Sequence, residues 1–496
     1  MRYEELAPLL AAGTDPGRAE PPPRTGRRHH GTVPLVILSN RIPGGGDDSR
    51  ASRSVGGLES SIMAALGEGT DAAWIGWNGS FSDPGTWMYQ DRGSRWKVIG
   101  IGIRGDYLSK YYGRVCNSFL LPIYCRDSSR IARVSEDDWR AYVQVNRRFA
   151  AEACRTASSG ATVWVNDFHL QLCPRLIKNQ RPDLRVVYFH HIPFPPADLF
   201  EQIPWRTEIM SGIGSADRIG FQTHRDRASY LTCRDRWPGS EAAEPAVVVS
   251  PAEIDTDWWR RLGRDPSVRR RAALVRSKLG DPDHVFLGID RLEPVKGIPE
   301  KLAAFLELNR WHSTGQRFVL LQVAVAADPR ALHHGHDVLE GIAKELAQIT
   351  TEPDRPAVYL TTHALCPRDV AVLYAAADSL VVTSLSDGMN MVVKEFVAVA
   401  GWNTRRLIVS RHAGIAEDLP ADVLVDPRNL AEVTGAMQRA VRAGPMPAEN
   451  GPAAADRSPA PLFTRRSAAQ WMTELTAEPG PGQIPGPHAR ALSYRC

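Results

Sequence analysis

The chain has 496 residues, 43% of them apolar, which exceeds what a single hydrophobic core usually organises and suffices to bury two. With 60 basic and 56 acidic residues the formal charge is only +4, so the concentrated basic face of a nucleic-acid binder is not indicated. The 7 cysteines are odd in number and scattered, with no Cys-x-x-Cys pair, which argues against a disulfide framework or a thiolate zinc site and fits a reducing cytoplasm.

Residues 1–30 run through Pro21-Pro-Pro23 to Arg27-Arg-His-His30 without an apolar segment, so they read as a flexible arm and not as a signal peptide. Short β-branched runs then recur between helical stretches, at 36–39, 163–166, 186–190, 219–222 and 247–250. After a break near Pro251 a second series follows at 285–289, 318–325, 358–361, 380–383 and 407–410, with helices predicted over 368–377 and 389–399. This rhythm predicts an α/β chain of two Rossmann-like domains, at 31–250 and 251–445, with a ligand between them at the carboxyl ends of the strands. Residues 446–496 read as a linker, a short helix carrying Trp471 and a flexible tail. The longest apolar runs fall short of the ~20 residues that a membrane helix requires, so a soluble, cytoplasmic protein is expected.

Several strand ends carry chemistry. Ser39-Asn-Arg41 closes the first strand and leads to Gly44-Gly-Gly46 and Gly56-Gly57, which fit either a backbone that approaches phosphate or a mobile loop. Asn166-Asp-Phe-His169 and His190-His-Ile-Pro-Phe-Pro195 end neighbouring strands. Their histidines and aspartate could hold a metal, but no second carboxylate stands at ligand spacing and no metal site is expected. Asp255-Thr-Asp257 has the look of a metal-binding D-x-D and is read instead as a helix cap before Trp258-Trp259.

Arg291-Leu-Glu-Pro-Val-Lys-Gly297 places a planar cationic fork and a point charge on one loop, suited to a diphosphate. In Ser384-Leu-Ser-Asp-Gly-Met-Asn-Met-Val-Val-Lys-Glu395 a strand stops at a polar turn and restarts as a helix, whose N–H groups and positive end suit the same anion. Asp387 there is either a ligand for sugar hydroxyls or an N-cap with Gly388 completing the turn. Glu395 either accepts both hydroxyls of a ribose or lies on a solvated helix face.

Taken in order, Ser-Asn-Arg (39–41), Gly-Gly (56–57), Trp-Ile-Gly-Trp (74–77), Tyr-Tyr (111–112), Asn-Asp-Phe-His (166–169), His-Ile-Pro-Phe-Pro (191–195), Phe-Gln-Thr (221–223), Arg-Leu-x-x-x-Lys-Gly (291–297) and Asp-Gly-Met-Asn-x-Val-x-Lys-Glu (387–395) resemble the trehalose-6-phosphate synthases of glycosyltransferase family 20. The resemblance implies a GT-B fold, two Rossmann-like domains facing each other across a substrate cleft. It also implies retaining, metal-independent transfer of glucose from a nucleoside diphosphate sugar to a sugar phosphate, with no cofactor. Carried over by position, Gly57, His191, Arg291, Lys296, Asp387, Gly388, Met389, Asn390 and Glu395 match the donor site. Arg41, Trp77, Tyr112 and Asp167 match the acceptor site, and Asp167, His191, Arg291 and Lys296 the catalytic set.

This chain departs from the family pattern at four places. Leu121 stands for the Trp of Asn-x-x-x-Trp-Pro, and Ser386 for an Arg before Asp-Gly-Met-Asn. Asp328 falls where a second phosphate-binding Arg belongs, with Arg330 two residues on, so both join the acceptor-side candidates. Glu253 replaces the Gly of a Gly-Ile-Asp stretch. The departures set two alternatives beside the main reading: a trehalose-like or pseudo-disaccharide linkage built on an amino-bearing acceptor in antibiotic biosynthesis, and a sugar-phosphate-binding regulator without turnover. The expected partners are small-molecule substrates, with neither nucleic acid nor membrane, and a homo-oligomer is compatible with the composition.

Overall fold

The computed structural model describes residues 32–42, 57–67, 69–79, 85–90, 95–239, 244–311, 315–325, 340–342, 344, 357–402, 406–444 and 466–477. The N-terminal arm 1–30, glycines 44–46, Gly56, Asp328, Arg330, nearly all of the linker and the end of the tail lie outside these residues.

The first sheet contains β1 (Val33–Arg41), β2 (Ala72–Trp77), β3 (Thr86–Gln90), β4 (Lys97–Ile101), β5 (Ala157–Asn166), β6 (Arg185–His190), β7 (Arg218–Phe221) and β8 (Ala246–Val249). Their order is β3-β4-β2-β1-β5-β6-β7-β8, all parallel except β3, which runs antiparallel to β4. The second contains β9 (His284–Arg291), β10 (Phe318–Val325), β11 (Val358–Thr361), β12 (Ser379–Val382), β13 (Leu407–Ser410) and β14 (Leu424–Val425), in the parallel order β11-β10-β9-β12-β13-β14.

The strands are apolar on both faces because helices cover both faces of each sheet. Val36 and Leu38 of β1 enter one core while Ile37 enters another, and in β9 Val285, Leu287 and Ile289 oppose Phe286 in the same way. Each sheet reverses its direction of growth once, between β1 and β5 in the first and between β9 and β12 in the second. Such switch points open a crevice at the strand ends. Arg41 and the loop from Asp167 lie at the first switch point, Arg291 and the turn at Asp387 at the second.

Three features were not legible as local pattern. Strands β2 to β4 form an unpredicted flank of the first sheet, Ser109–Leu120 winds as a wide π-type helix, and the helix expected at 389 begins at Met391. After the second sheet the chain returns to the first. Its helix Ala468–Thr476 is opened by a capping box between Ser467 and Gln470. There it buries Trp471 edge-on against Trp164 and Phe189, at ring centroids 5.2 and 5.4 Å away, and the indole N–H donates to the Ser250 carbonyl at 2.9 Å.

Trp471→Ala removes that ring from a fully buried position. It is expected to lower unfolding free energy by about 3–5 kcal/mol, read as a lower denaturant midpoint.

Candidate active site

The two cationic and acidic loops at the second switch point are stitched together. Gly297 adopts a left-handed conformation at φ 61°, and a Cβ on it would lie 2.0 Å from the Thr383 carbonyl oxygen, so glycine is required. The Thr383 hydroxyl donates to the Gly297 carbonyl at 2.7 Å, and Leu385 N–H to the Val295 carbonyl at 2.7 Å. The result brings the Lys296 ammonium 2.7 Å from Asp387 Oδ2, with both side chains nearly buried.

Asp387 is therefore not the helix cap. The cap is Asn390, at φ 79°, whose Oδ1 accepts from Val393 N–H while its amide donates to Asp387 Oδ2 at 3.1 Å. Burial alone would raise the Asp387 carboxyl, but Lys296, Asn390 and Arg291 together hold it below the ordinary aspartate value. Arg291 extends half-exposed from β9 and pairs with Glu293 at 3.2 Å. Beneath the loop, Lys301 and Asp290 form a fully buried pair at 2.6 Å, and the Gln322 amide donates to the same carboxylate at 3.0 Å. This pair ties β9 to the helix Ile298–Trp311, and so fixes both arms of the loop that carries Arg291 and Lys296.

Glu395 lies on the helix Met391–Ala400 and is buried, which rules out a solvated face. The Tyr374 hydroxyl donates to its Oε2 at 2.8 Å, so one carboxylate oxygen is already partly engaged. Burial, opposed by that bond, pushes the carboxyl up to about 7. The Met389 side chain is in the core, so any ligand contact it makes is through its backbone.

At the first switch point Asp167 holds a left-handed φ of 73°. The residues around it explain how that strain is sustained. Tyr142 donates to the Phe168 carbonyl at 2.7 Å, and Asn146 donates to the His169 carbonyl at 3.1 Å. His191 N–H donates to Asp167 Oδ1 at 3.1 Å. Burial pushes the Asp167 carboxyl up to about 6, against the neighbouring backbone N–H groups and the charge of Arg291 across the cleft.

The His191 ring is 2.9 Å from Asn166 Oδ1 through Nε2 and 3.5 Å from Gln222 Nε2 through Nδ1. The tautomer protonated at Nε2 satisfies both. Burial drives its pKa down to about 3, so the ring is neutral and fixed.

Arg41 lies 4.7 Å over the Trp77 ring, Trp77 is 6.2 Å from Tyr112, and Tyr112 stacks on His169 at 5.9 Å. Trp77 is wholly buried, and its indole face carries the guanidinium. Gly57 opens the helix Gly57–Leu66. Leu121 opens the short helix Leu121–Tyr124 and packs against the core of the first lobe, and Ser386 is buried in the turn before Asp387.

The lobes meet at glycine. A Cβ on Gly388 would lie 1.8 Å from the His191 carbonyl oxygen, and one on Gly414 would lie 1.8 Å from that of Gly388. Glu417 adds an unforeseen clasp, since its carboxylate accepts from His224 and Arg225 N–H at 2.8 and 3.1 Å and so caps the helix His224–Arg236 from the other lobe.

Asp255 accepts from Trp258 N–H at 2.9 Å as the N-cap of Thr256–Arg264, and Asp257 pairs with Arg260. Among the described residues no group of three His, Cys, Asp or Glu side chains gathers at metal-binding range. No helix among them is long and apolar enough to cross a membrane.

The family model of glycosyltransferase family 20 matches residues 35–478. The trehalose-6-phosphate synthase of Mycobacterium sp. strain JLS is 34% identical over 434 residues, 83% of this chain and 88% of the relative. That of Mycolicibacterium smegmatis is 32% identical over 443 residues, 84% and 87%. Among solved structures, a UDP-forming α,α-trehalose-phosphate synthase from Burkholderia xenovorans in complex with glucose-6-phosphate superposes with a TM-score of 0.76 at 23% identity, covering 89% of this chain and 99% of that one. An E. coli structure bound with UDP-2-fluoro glucose gives 0.71 at 23%, covering 82% and 91%. At that identity the structural likeness is one of fold.

A proton on Glu395 favours the folded state, so its stabilising effect is complete below the ordinary glutamate range and is lost as pH rises through about 7. Glu395→Gln, which mimics the protonated form, is expected to match wild-type stability in acid and to exceed it above neutrality. Denaturant titrations at both ends of that range check the sign.

Proposed function

The chain belongs to glycosyltransferase family 20, and from that premise we propose that it moves a glucosyl unit from UDP-glucose to glucose 6-phosphate, forming an α,α-trehalose phosphate. It is a retaining nucleotide-sugar transferase of GT-B fold. UDP is the donor nucleotide of choice because the solved relatives are UDP-forming or bound to a UDP sugar. A soluble cytoplasmic protein fits this reading.

The observation that carries the assignment of roles is the meeting of the two switch points, with Arg291, Lys296 and Asp387 on one side and Asp167 and His191 on the other. Arg291 and Lys296 receive the diphosphate, and the N–H groups at the start of Met391–Ala400 add a fixed positive end. Each cation already has a carboxylate partner, so the donor enters a site whose charges are placed before it arrives. Asp387 holds hydroxyls of the transferred sugar, and Glu395 accepts from the ribose through its freer oxygen. Arg41, supported on Trp77, holds the acceptor phosphate beside Tyr112, while Asp167 accepts from an acceptor hydroxyl.

In the transfer the bond from the anomeric carbon to the diphosphate oxygen breaks as the acceptor oxygen bonds to that carbon on the same face. The acceptor's proton passes to a diphosphate oxygen. Charge grows on the leaving group, where Arg291 and Lys296 stabilise it most. The neutral, doubly engaged His191 ring takes no proton; it shapes the sugar site, and its carbonyl lines it beside Gly388.

Arg291→Ala and Lys296→Ala are each expected to lower kcat by roughly 10²–10³-fold, as for loss of one preorganised charge-stabilising donor. Assays with UDP-glucose and glucose 6-phosphate test this, and near-normal rates in both variants would remove the proposal. Wild-type turnover should persist after exhaustive chelation, because the cations and the helix end supply the neutralising charge; loss of activity restored by magnesium or manganese would contradict it.

A further inference from the structure

We infer that the interdomain linker at Ala252 is the element that keeps the donor-site residues of the two lobes in register, and that Gln222, Lys394 and Glu253 are positioning residues for donor binding. The inference rests on the donor-site reading above and adds to it three residues that touch no substrate.

The linker leaves β8 at Ser250 and is buried through Ile254 except at Pro251. Both backbone groups of Ala252 are held by side chains, one from each lobe. Its N–H donates to Gln222 Oε1 at 2.8 Å, and Gln222 stands at the end of β7 with its amide turned to His191 Nδ1. Its carbonyl accepts from Lys394 Nζ at 2.7 Å, and Lys394 directly precedes Glu395 on the helix Met391–Ala400. A continuous path therefore runs from the His191 ring through Gln222 and the Ala252 backbone to the turn of helix that carries Glu395.

Glu253 completes the arrangement. Its Oε2 lies 2.7 Å from the same ammonium, and the two side chains are 0% and 3% exposed for Lys394 and Glu253. An ion pair buried so deeply loses hydration that its mutual attraction rarely repays with a surplus, so packed apolar side chains would serve stability as well. What the charged pair supplies is geometry. The ammonium is held between a carboxylate and a backbone carbonyl, and this fixes the rotation of the helix Met391–Ala400 about the linker.

The test compares wild type with Gln222→Met, Lys394→Arg and the double variant Glu253→Gln with Lys394→Met, recording melting temperature, kcat and KM for each substrate. The double variant removes both charges at once, so neither member of the pair is left as a lone buried ion; the Ala252 carbonyl loses its Lys394 donor, so the variant is expected to fold and to melt a few degrees below wild type. Its kcat/KM for UDP-glucose should fall by about 10²-fold, the scale of a 1 Å misplacement, with the KM for glucose 6-phosphate unchanged. Gln222→Met, which cuts the linker from the other lobe without touching a charge, should show the same donor-specific loss, and Lys394→Arg should retain most of the donor affinity.

Variants that melt lower but keep wild-type kinetics per folded molecule would make these residues purely structural and overturn the inference. Equal losses for both substrates would assign them to closure of the whole cleft and overturn it as well. A wild-type chain that turns over no nucleotide sugar would sink the functional reading and this inference with it, whereas an active wild type with kinetically normal variants would sink the inference alone.

Discussion

At Gly388 the second lobe approaches the His191 carbonyl so closely that only a hydrogen atom fits between them, and the geometry of the cleft follows from that contact. The turn carrying Gly388 also carries Asp387 and Asn390. Its backbone is pinned from behind, Gly414 N–H to the Asp387 carbonyl and Ile415 N–H to the Met389 carbonyl. A turn fastened on one side to its own lobe and pressed on the other against His191 has little freedom left. That rigidity sets where a sugar between Asp387 and Asp167 would sit, and preorganisation of this kind is what transfer without a protein nucleophile needs.

The charges around the cleft are arranged in opposed pairs, Lys296 with Asp387, Arg291 with Glu293, Lys301 with Asp290 and Lys394 with Glu253. The buried pairs below the surface are structural hinges between elements; the pairs at the cleft have partners that a ligand can share. Arg291 is the most exposed of the four cations, while Lys301 and Lys394 are sealed. A dianionic diphosphate thus meets its counter-charge at the cleft mouth and a fixed scaffold beneath, and little of the site has to reorganise when it binds.

The first lobe contributes a different kind of rigidity. Its strand ends carry three histidines, His169, His190 and His191, all driven to about 3 by burial and so neutral. Two of them have ring nitrogens engaged, His190 by Tyr188 and the Pro193 carbonyl, His191 by Asn166 and Gln222. The rings of His190 and His191 act here as fixed, neutral spacers behind Asp167.

The alternation of apolar runs, read in sequence, disclosed two parallel sheets, because buried parallel strands must be apolar on both faces. The loop from Arg291 to Lys296 and the turn from Asp387 to Glu395 were legible as anion-seeking strand ends, since local spacing decides which side chains leave a strand together. The edge strands β3 and β14 carry little pattern of their own and are defined by the strand beside them. Asn390 and not Asp387 became the cap because Lys296, folded in from the neighbouring loop, claimed the aspartate. The clasp of Glu417 on His224 joins residues 193 positions apart, and the pair of Glu253 with Lys394 spans 141. A carboxylate or an ammonium shows in sequence only its charge. Which partner answers it, and whether water is excluded from the pair, is decided when the two sheets close on one another.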